Sequence, residues 1–358
     1  MIMNKSWYKT IFDMNAVTLS IVMPVFNRVD LVKQMVDSIL QNSFQQWELW
    51  AVDDGSSEEN VNILSDYFSV DSRIHYIKRN LEPKGAQTCR NIGLEKAQGK
   101  YIIFLDSDDR ILPSCLGTRV EELSNRNELD FMVFPSGVIV NDEYSSSKHP
   151  KYSYGFPIFG DDYDAFARRV LPFVVWNNIY RTQSLRSAKI SWDTRLLSLQ
   201  DADFNLQTMF AGLKYDYSSC PPGIGYRIDA SAGSVSKKIN SVEHRASIIY
   251  AITKFYKMYQ SCYGHKYDRA LYNGVLHLYN HIMTDKFVGV FADEMCASVY
   301  TYSKFYGSLF KVQIFATKVL RLFLPDKLAR QIPMVCHLIG YVARMKKKQK
   351  DIRKILVV

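Results

Sequence analysis

The 358-residue sequence lacks several familiar signatures. Its six cysteines, Cys89, Cys115, Cys220, Cys262, Cys296 and Cys336, include no C-x-x-C pair, so zinc and thiol redox motifs are excluded. Scattered this way, they read as small buried apolar residues that suit a reducing compartment. Long apolar runs are also missing. No window reaches the ~18 uncharged apolar residues of a membrane span. The nearest, SLFKVQIFATKVLRLFL, carries Lys311, Lys318 and Arg321. The first twenty residues hold no uninterrupted apolar stretch and no small-residue cleavage site, which argues against a signal peptide. GYRIDASAG has glycines without phosphate-loop spacing. His277 and His281 stand one helical turn apart, but Leu278 sits where H-E-x-x-H needs Glu, so they read as structural.

Most of the chain lacks an excess of either charge. Of 45 Lys+Arg and 36 Asp+Glu, 13 and 2 respectively fall from Thr301 onward, which leaves +11 there and −2 elsewhere. An anionic partner is therefore sought only in the tail. That tail has no aromatic-studded basic groove, so nucleic acid is not an expected partner. With 47% hydrophobic and 13% aromatic residues, the chain reads as globular, with one large core or two smaller ones.

What is present is an alternation of strand and helix over the first ~130 residues, in βαβ spacing. LSIVMPVF (19–26) is a near-continuous apolar run, as a strand buried on both faces should be. Asp30 is placed to cap a helix with Leu31, Met35, Val36, Ile39 and Leu40 on one face. A strand over 48–52 ends in DDGSSEE, where Ser56 and Glu59 have capping-box spacing. A third strand starts at Arg73. The loop NLEPKGAQ then leads into a helix through Ala97. YIIFL forms a fourth strand, with Pro113 placed to start the next helix, and DFMVFPSG from Asp130 a fifth. Residues 141–160 read as loop, 162–170 as helix, and nearly everything beyond 241 as helical. This pattern predicts an α/β fold with an open, mostly parallel sheet and a helical C-terminal extension.

Polar residues collect where these strands end, at the edge of an open parallel sheet that binds ligands. YIIFLDSDDR places Asp106, Asp108 and Asp109 directly after a buried strand. Asp106 and Asp108, two apart on an extended chain, would point the same way and could share one divalent cation. Phosphate oxygens usually complete such a shell, so a metal-bound diphosphate is the natural third party. The cation would relieve repulsion among the acids, and without it the loop should be loose. As a plain alternative, the acids are capping and turn residues.

PVFNR (24–28), VDDGSS with Asp53 and Asp54, and Arg90, Asn91 and Gly93 one helix ahead of the acidic triplet complete an ordered set. It resembles the nucleotide-sugar-binding half of family 2 glycosyltransferases, which have the GT-A fold, over about residues 19–113. Weaker resemblance to bacterial polysaccharide-building members continues in WNNIYRTQSL, LQDADFNLQTMFAGLKY and GYRIDASAGSVS. It implies a GT-A domain over 1–240, with 17–135 the nucleotide-sugar half and 136–240 the acceptor half, then a basic helical region over 241–358. Phe26 and the backbone beside Pro24 would line the base. Asp54, with Asp53, would bond the base or ribose, and Arg90 would shape the pocket. Asp106 would reach ribose and metal (Mg²⁺ or Mn²⁺), Asp108 would be the main metal ligand, and Asp109 would face the sugar. Asp201 would be the general base of an inverting transfer to a glycan or lipid-linked hydroxyl. Gln200 precedes it where the family has Glu, which leaves Asp203 as its competitor. Trp176 is either an acceptor platform or core, and Arg227 either a diphosphate contact or the partner of an acid.

Lys304, Lys311 and Lys318 recur every seven residues among Phe310, Ile314, Phe315, Val319, Leu322 and Phe323. With ARMKKKQKDIRK, they read as a surface for an anionic membrane, which would put the protein in the cytoplasm on the inner face of the plasma membrane. The plain alternative is a solvated basic face. Rival functions are a D-x-D phosphatase, which would want D-x-D-x-T near the N-terminus, a nucleotidyltransferase, which would want a glycine-rich basic loop after the first strand, and an inactive membrane-associated scaffold.

Overall fold

Strand β1 (Leu19–Val25) is buried on both faces, and the fold is arranged around it. A polar residue in such a strand must be satisfied. Ser20 donates to Glu48 Oε1 at 2.5 Å and accepts from the Gly99 amide at 2.8 Å. Helix α1 (Val29–Leu40) follows, then β2 (Trp47–Asp53), α2 (Glu58–Phe68), β3 (Ile74–Lys78), α3 (Ala86–Lys96) and β4 (Tyr101–Phe104). Next come β5 (Arg110–Ile111), α4 (Cys115–Ser124), β6 (Phe131–Val133), β7 (Ser136–Val140), β8 (Glu143–Ser145), β9 (Asn178–Arg181), β10 (Tyr215–Tyr217) and β11 (Ile224–Arg227). This computed structural model describes residues 17–147, 153–158, 160–228, 241–282, 288–320 and 322–323.

Seven strands form one sheet in the order β10-β6-β9-β4-β1-β2-β3, parallel except for β9. A four-stranded sheet runs β5-β11-β7-β8. The expected α/β architecture with a mostly parallel sheet is what the chain forms. The run after Asp130 divides between the two sheets, however. Pro135 has no N–H for a ladder, and the chain changes sheets there.

Two helix starts differ from expectation. Helix α1 begins at Val29, with Arg28 at the cap position and Asp30 in the first turn, where a negative charge favours the helix dipole. Helix α2 is capped by Ser57, which accepts from the Asn60 amide. Ser56 instead accepts from the Asn27 amide at 2.7 Å. The helix expected over 162–170 ends at Ala167, and the 141–160 stretch holds β8.

The strands belong to one compact unit, formed by Met1–Gly155, Phe173–Thr194 and Ala211–Asp229. A second comprises Phe156–Pro172, Arg195–Phe210 and Ala230–Val358. Its longer described helices are α5 (Gln200–Phe210), α6 (Val242–Tyr263), α7 (Asp268–Ile282), α8 (Val288–Tyr302) and α9 (Lys304–Leu320). Tyr256, Tyr259, Tyr272 and Tyr279 are buried among them. Helix α9 buries Phe310, Gln313, Ile314 and Thr317 along one side. Among the described residues no helix is long and apolar enough to cross a membrane.

Candidate active site

In parallel register, Val25 of β1 lies beside Asp53 of β2, and Val22 of β1 beside Phe104 of β4. The loops after these three strands therefore leave from one edge of the sheet, with PVFNR in the middle. Side-chain bonds join them. Asn27 accepts on Oδ1 from the Ser57 amide at 3.0 Å and from Asn60 Nδ2 at 2.9 Å. With the Asn27–Ser56 bond, this fixes the β1 loop to the β2 loop. Asn27 and Arg28 both have left-handed backbones, at φ 53° and 51°. That conformation costs a residue with a side chain roughly 1–2 kcal/mol, so these bonds hold strain in place.

Asp53 and Asp54 do different work. Asp53 is buried, and its Oδ1 accepts from the Gly55 and Ser56 amides at 2.8 Å each, while Tyr76 donates to Oδ2. It builds the turn. Asp54 Oδ1 accepts from Arg79 Nε at 2.8 Å and from the Gly85 amide at 2.9 Å. That ties down the loop after β3. Burial, and then the charge on Asp54, push the Cys89 thiol up to about 12, so Cys89 is a neutral packing residue. Phe26 is 45% exposed with the Lys84 ammonium 4.1 Å from its ring centroid. An exposed aromatic face beside Pro24 and Asp54 suits a flat base.

The acidic loop turns rather than extending, with the Asp109 amide 3.4 Å from the Asp106 carbonyl. Arginines offset its charge. Arg90 donates to Asp106 at 2.5 Å while stacking 4.3 Å from the centroid of Trp192. Arg28 pairs with Asp108 at 2.7 Å. Arg227 donates through its amide to Asp109 Oδ1 at 2.9 Å, through Nε to the Asp108 carbonyl at 2.7 Å, and through Nη2 to Gln34 at 2.8 Å, and it pairs with Asp142. Arg227 thus pairs with an acid and reaches the acidic loop.

Asp109 is only 1% exposed, and its Oδ2 has no hydrogen-bond partner among the described residues. Burial first, then the charges of Asp108 and Asp106, push its carboxyl well up. Burial and Asp106 also raise Asp108, and Arg28 pulls it back. Asp106 and Asp108 remain partly exposed, at 35% and 38%. As hard oxygen donors they fit Mg²⁺ or Mn²⁺. Among the described residues no group of three or more His, Cys, Asp or Glu could hold a metal ion.

Trp176 is 5% exposed and stacked on Tyr226 at 5.6 Å and 7°. One face of its ring is thus covered by protein. Asp201 lies in the first turn of α5, in the helical unit. Two residues on, Asp203 is 1% exposed, paired with Lys254 at 2.6 Å and bonded by Gln207 at 2.7 Å. The second half of GYRIDASAGSVS, Arg321, Cys336, the side chain of His281 and the run from Ala343 lie outside the described residues.

Sequence reasoning assigned no role to Arg28, Arg79 or Lys84. Arg28 could have been noticed as the cation closing PVFNR. Nothing in a single sequence pairs residue 79 with residue 54.

Residues 20–188 match the model for glycosyl transferase family 2. The chain carries a family 2 glycosyltransferase domain. Its acids at 53, 54, 106, 108 and 109 fall inside the match, while Asp201 and Arg227 lie beyond it. A putative teichuronic acid biosynthesis glycosyltransferase, TuaG of Bacillus subtilis, is 38% identical over 111 residues, which is 30% of this chain and 43% of that protein. The GalNAc(5)-diNAcBac-PP-undecaprenol beta-1,3-glucosyltransferase of Campylobacter jejuni is 32% identical over 104 residues, 29% of this chain and 34% of that protein. The matched stretch thus spans less than half of either relative. The crystal structure of S. aureus TarS 1-349 in complex with UDP-GlcNAc aligns with TM-score 0.65 at 15% identity, over 90% of this chain and 92% of that one. That likeness shows a shared GT-A fold with its C-terminal helical region.

Proposed function

We propose that the protein transfers a sugar, with inversion, from a nucleotide-diphosphate sugar to a hydroxyl of a glycan or lipid-linked acceptor. The observation that carries this is the set of bonded loops at one sheet edge, the loops to which Phe26, Asp54, Asp106 and Asp108 belong. The catalytic domain would span 1–240 and the basic helical region 241–358. TarS supports the donor class, since its structure holds UDP-GlcNAc. The C. jejuni relative, named for an undecaprenol-linked substrate, supports the acceptor class.

Phe26 would stack on the base, with Pro24 beside it. Asp54 would accept from the base or ribose. Its neighbour Asp53 would act through the turn it builds, and Arg90 would set the direction of Asp106. Asp108 and Asp106 would hold Mg²⁺ or Mn²⁺, which when bound offsets the charge growing on the leaving diphosphate. Asp109 would hold the shape of the loop from within. Asp201 would take the acceptor proton as general base, within ~3 Å of the hydroxyl. With one base and no enzyme nucleophile, the displacement is direct. Isothermal titration of UDP and GDP, with and without Mn²⁺, tests the reading. Binding of one nucleotide, strengthened by Mn²⁺, is expected; no binding under any condition would overturn it.

The C-terminal region would dock on anionic membrane at the inner face of the plasma membrane. In support, α9 has a second apolar face opposite its packed side. Phe305, Val312 and Phe315 on this face, and Leu322 and Phe323 just past the helix end, are each more than 60% exposed. Exposed Lys304, Lys311 and Lys318 line its edge, and no acid occurs on the helix. An apolar face of this size rimmed by lysines fits an anionic lipid surface.

A further inference from the structure

The three arginines facing the acidic loop are not equivalent. Arg90 is buried and sandwiched between Asp106 and Trp192. Arg227 is fixed by bonds to three other segments. Arg28 is held differently. Among the described residues its side chain makes one ion pair, with Asp108, and the two side chains are 30% and 38% exposed. A pair this exposed is weak enough to exchange. The backbone that presents it is not weak, because Asn27 is bonded to Ser56, Ser57 and Asn60, and the Arg28 carbonyl accepts from the Leu31 and Val32 amides at the start of α1. The loop is thus rigid up to Arg28 Cα, and the guanidinium beyond it can move.

We propose that Arg28 is an exchangeable counter-ion of Asp108. It would neutralise this carboxylate until a divalent cation and the donor diphosphate arrive, then release it and bind the diphosphate oxygens. This rests on the nucleotide-sugar reading above. Asp108 Oδ2 lies 2.7 Å from the guanidinium, so a dication on this carboxylate would sit against a positive charge and compete with Arg28 for it. A guanidinium displaced from a carboxylate is well suited to phosphate, which has the same planar-fork complementarity. The site then resists a lone cation, which must evict Arg28 and leave it unpaired. It accepts cation and diphosphate together, because the second offers Arg28 a new partner.

The test uses the full chain and two measurements on wild type, Arg28→Gln and Arg28→Lys. Free Mn²⁺ is followed by electron paramagnetic resonance without nucleotide, and UDP binding at saturating Mn²⁺ by calorimetry. Arg28→Gln should bind Mn²⁺ alone several-fold more tightly, and UDP with Mn²⁺ roughly tenfold more weakly, the scale of one charge-assisted hydrogen bond. Arg28→Lys should shift both in the same directions by less, and it carries the test if Arg28→Gln does not fold. Unchanged or weaker Mn²⁺ binding by the variants, or unchanged UDP affinity, overturns the exchange. If wild type binds UDP with Mn²⁺ and the variants match it, only the role of Arg28 falls. If wild type binds neither ligand, the nucleotide-sugar reading falls with it.

Discussion

At the scale of single residues, one side-chain type serves several distinct purposes. Asp53 builds a turn, Asp54 anchors a loop, Asp109 is buried beneath its own loop, and Asp106 and Asp108 face outward against arginines. The same separation holds in α5. Asp203 is buried and committed to Lys254, so it is poorly placed to receive a proton from a substrate, and Asp201 keeps the proposed base role. Replacing Asp201 with Asn should lower transfer by about 10²–10⁴-fold while UDP affinity in calorimetry stays near wild type. Loss of UDP binding instead would remove Asp201 from that role. The positions of the acids were legible because carboxylates directly after buried strands are unusual. Their division of labour was not, because it depends on which arginine or amide each one meets, and Arg28, Arg79 and Arg227 come from distant parts of the chain.

At the scale of elements, strands were the most legible, since β1, β2 and β4 are apolar runs with no helical period. Helix starts were less so, because at DDGSSEE two adjacent serines could each cap and the choice falls to Asn27, which occupies Ser56. Pro135 was visible in DFMVFPSG, yet only the second sheet gives the chain after it somewhere to go. Packing between elements was not legible at all. Helix α3 lies so close to β1 that a Cβ on Gly93 would stand 2.3 Å from Val22 Cγ1. Overpacking of this kind costs about 1–3 kcal/mol. Gly93→Ala should therefore lower the urea midpoint with little change in the far-UV circular dichroism spectrum. It should weaken UDP binding as well, since α3 carries Arg90. An unchanged midpoint would mean that the helix can shift without cost.

At the scale of the molecule, charge is the organising asymmetry, +11 from Thr301 onward against −2 elsewhere. The seven-residue lysine repeat was legible, but the faces of α9 were not. Phe310 and Ile314 are packed inside, whereas Val312 and Phe315 are exposed. The full chain should co-sediment with vesicles containing phosphatidylglycerol, less with phosphatidylcholine alone, and less again at high salt. Phe315→Glu with Leu322→Glu should reduce that binding. Equal binding to both lipids, or no effect of the double substitution, would sink the membrane proposal.

Strand β11 lies between β5 and β7, and Arg227 at its end holds the Asp108 carbonyl and the Asp109 carboxylate. A fragment cut where the family match stops, after residue 188, would keep every acid of the motif. It would also open a gap in the middle of the smaller sheet and remove the clamp on the acidic loop. The end of the family match is thus not a boundary of mechanical integrity. Any attempt to graft or shorten this domain should carry the chain through Arg227.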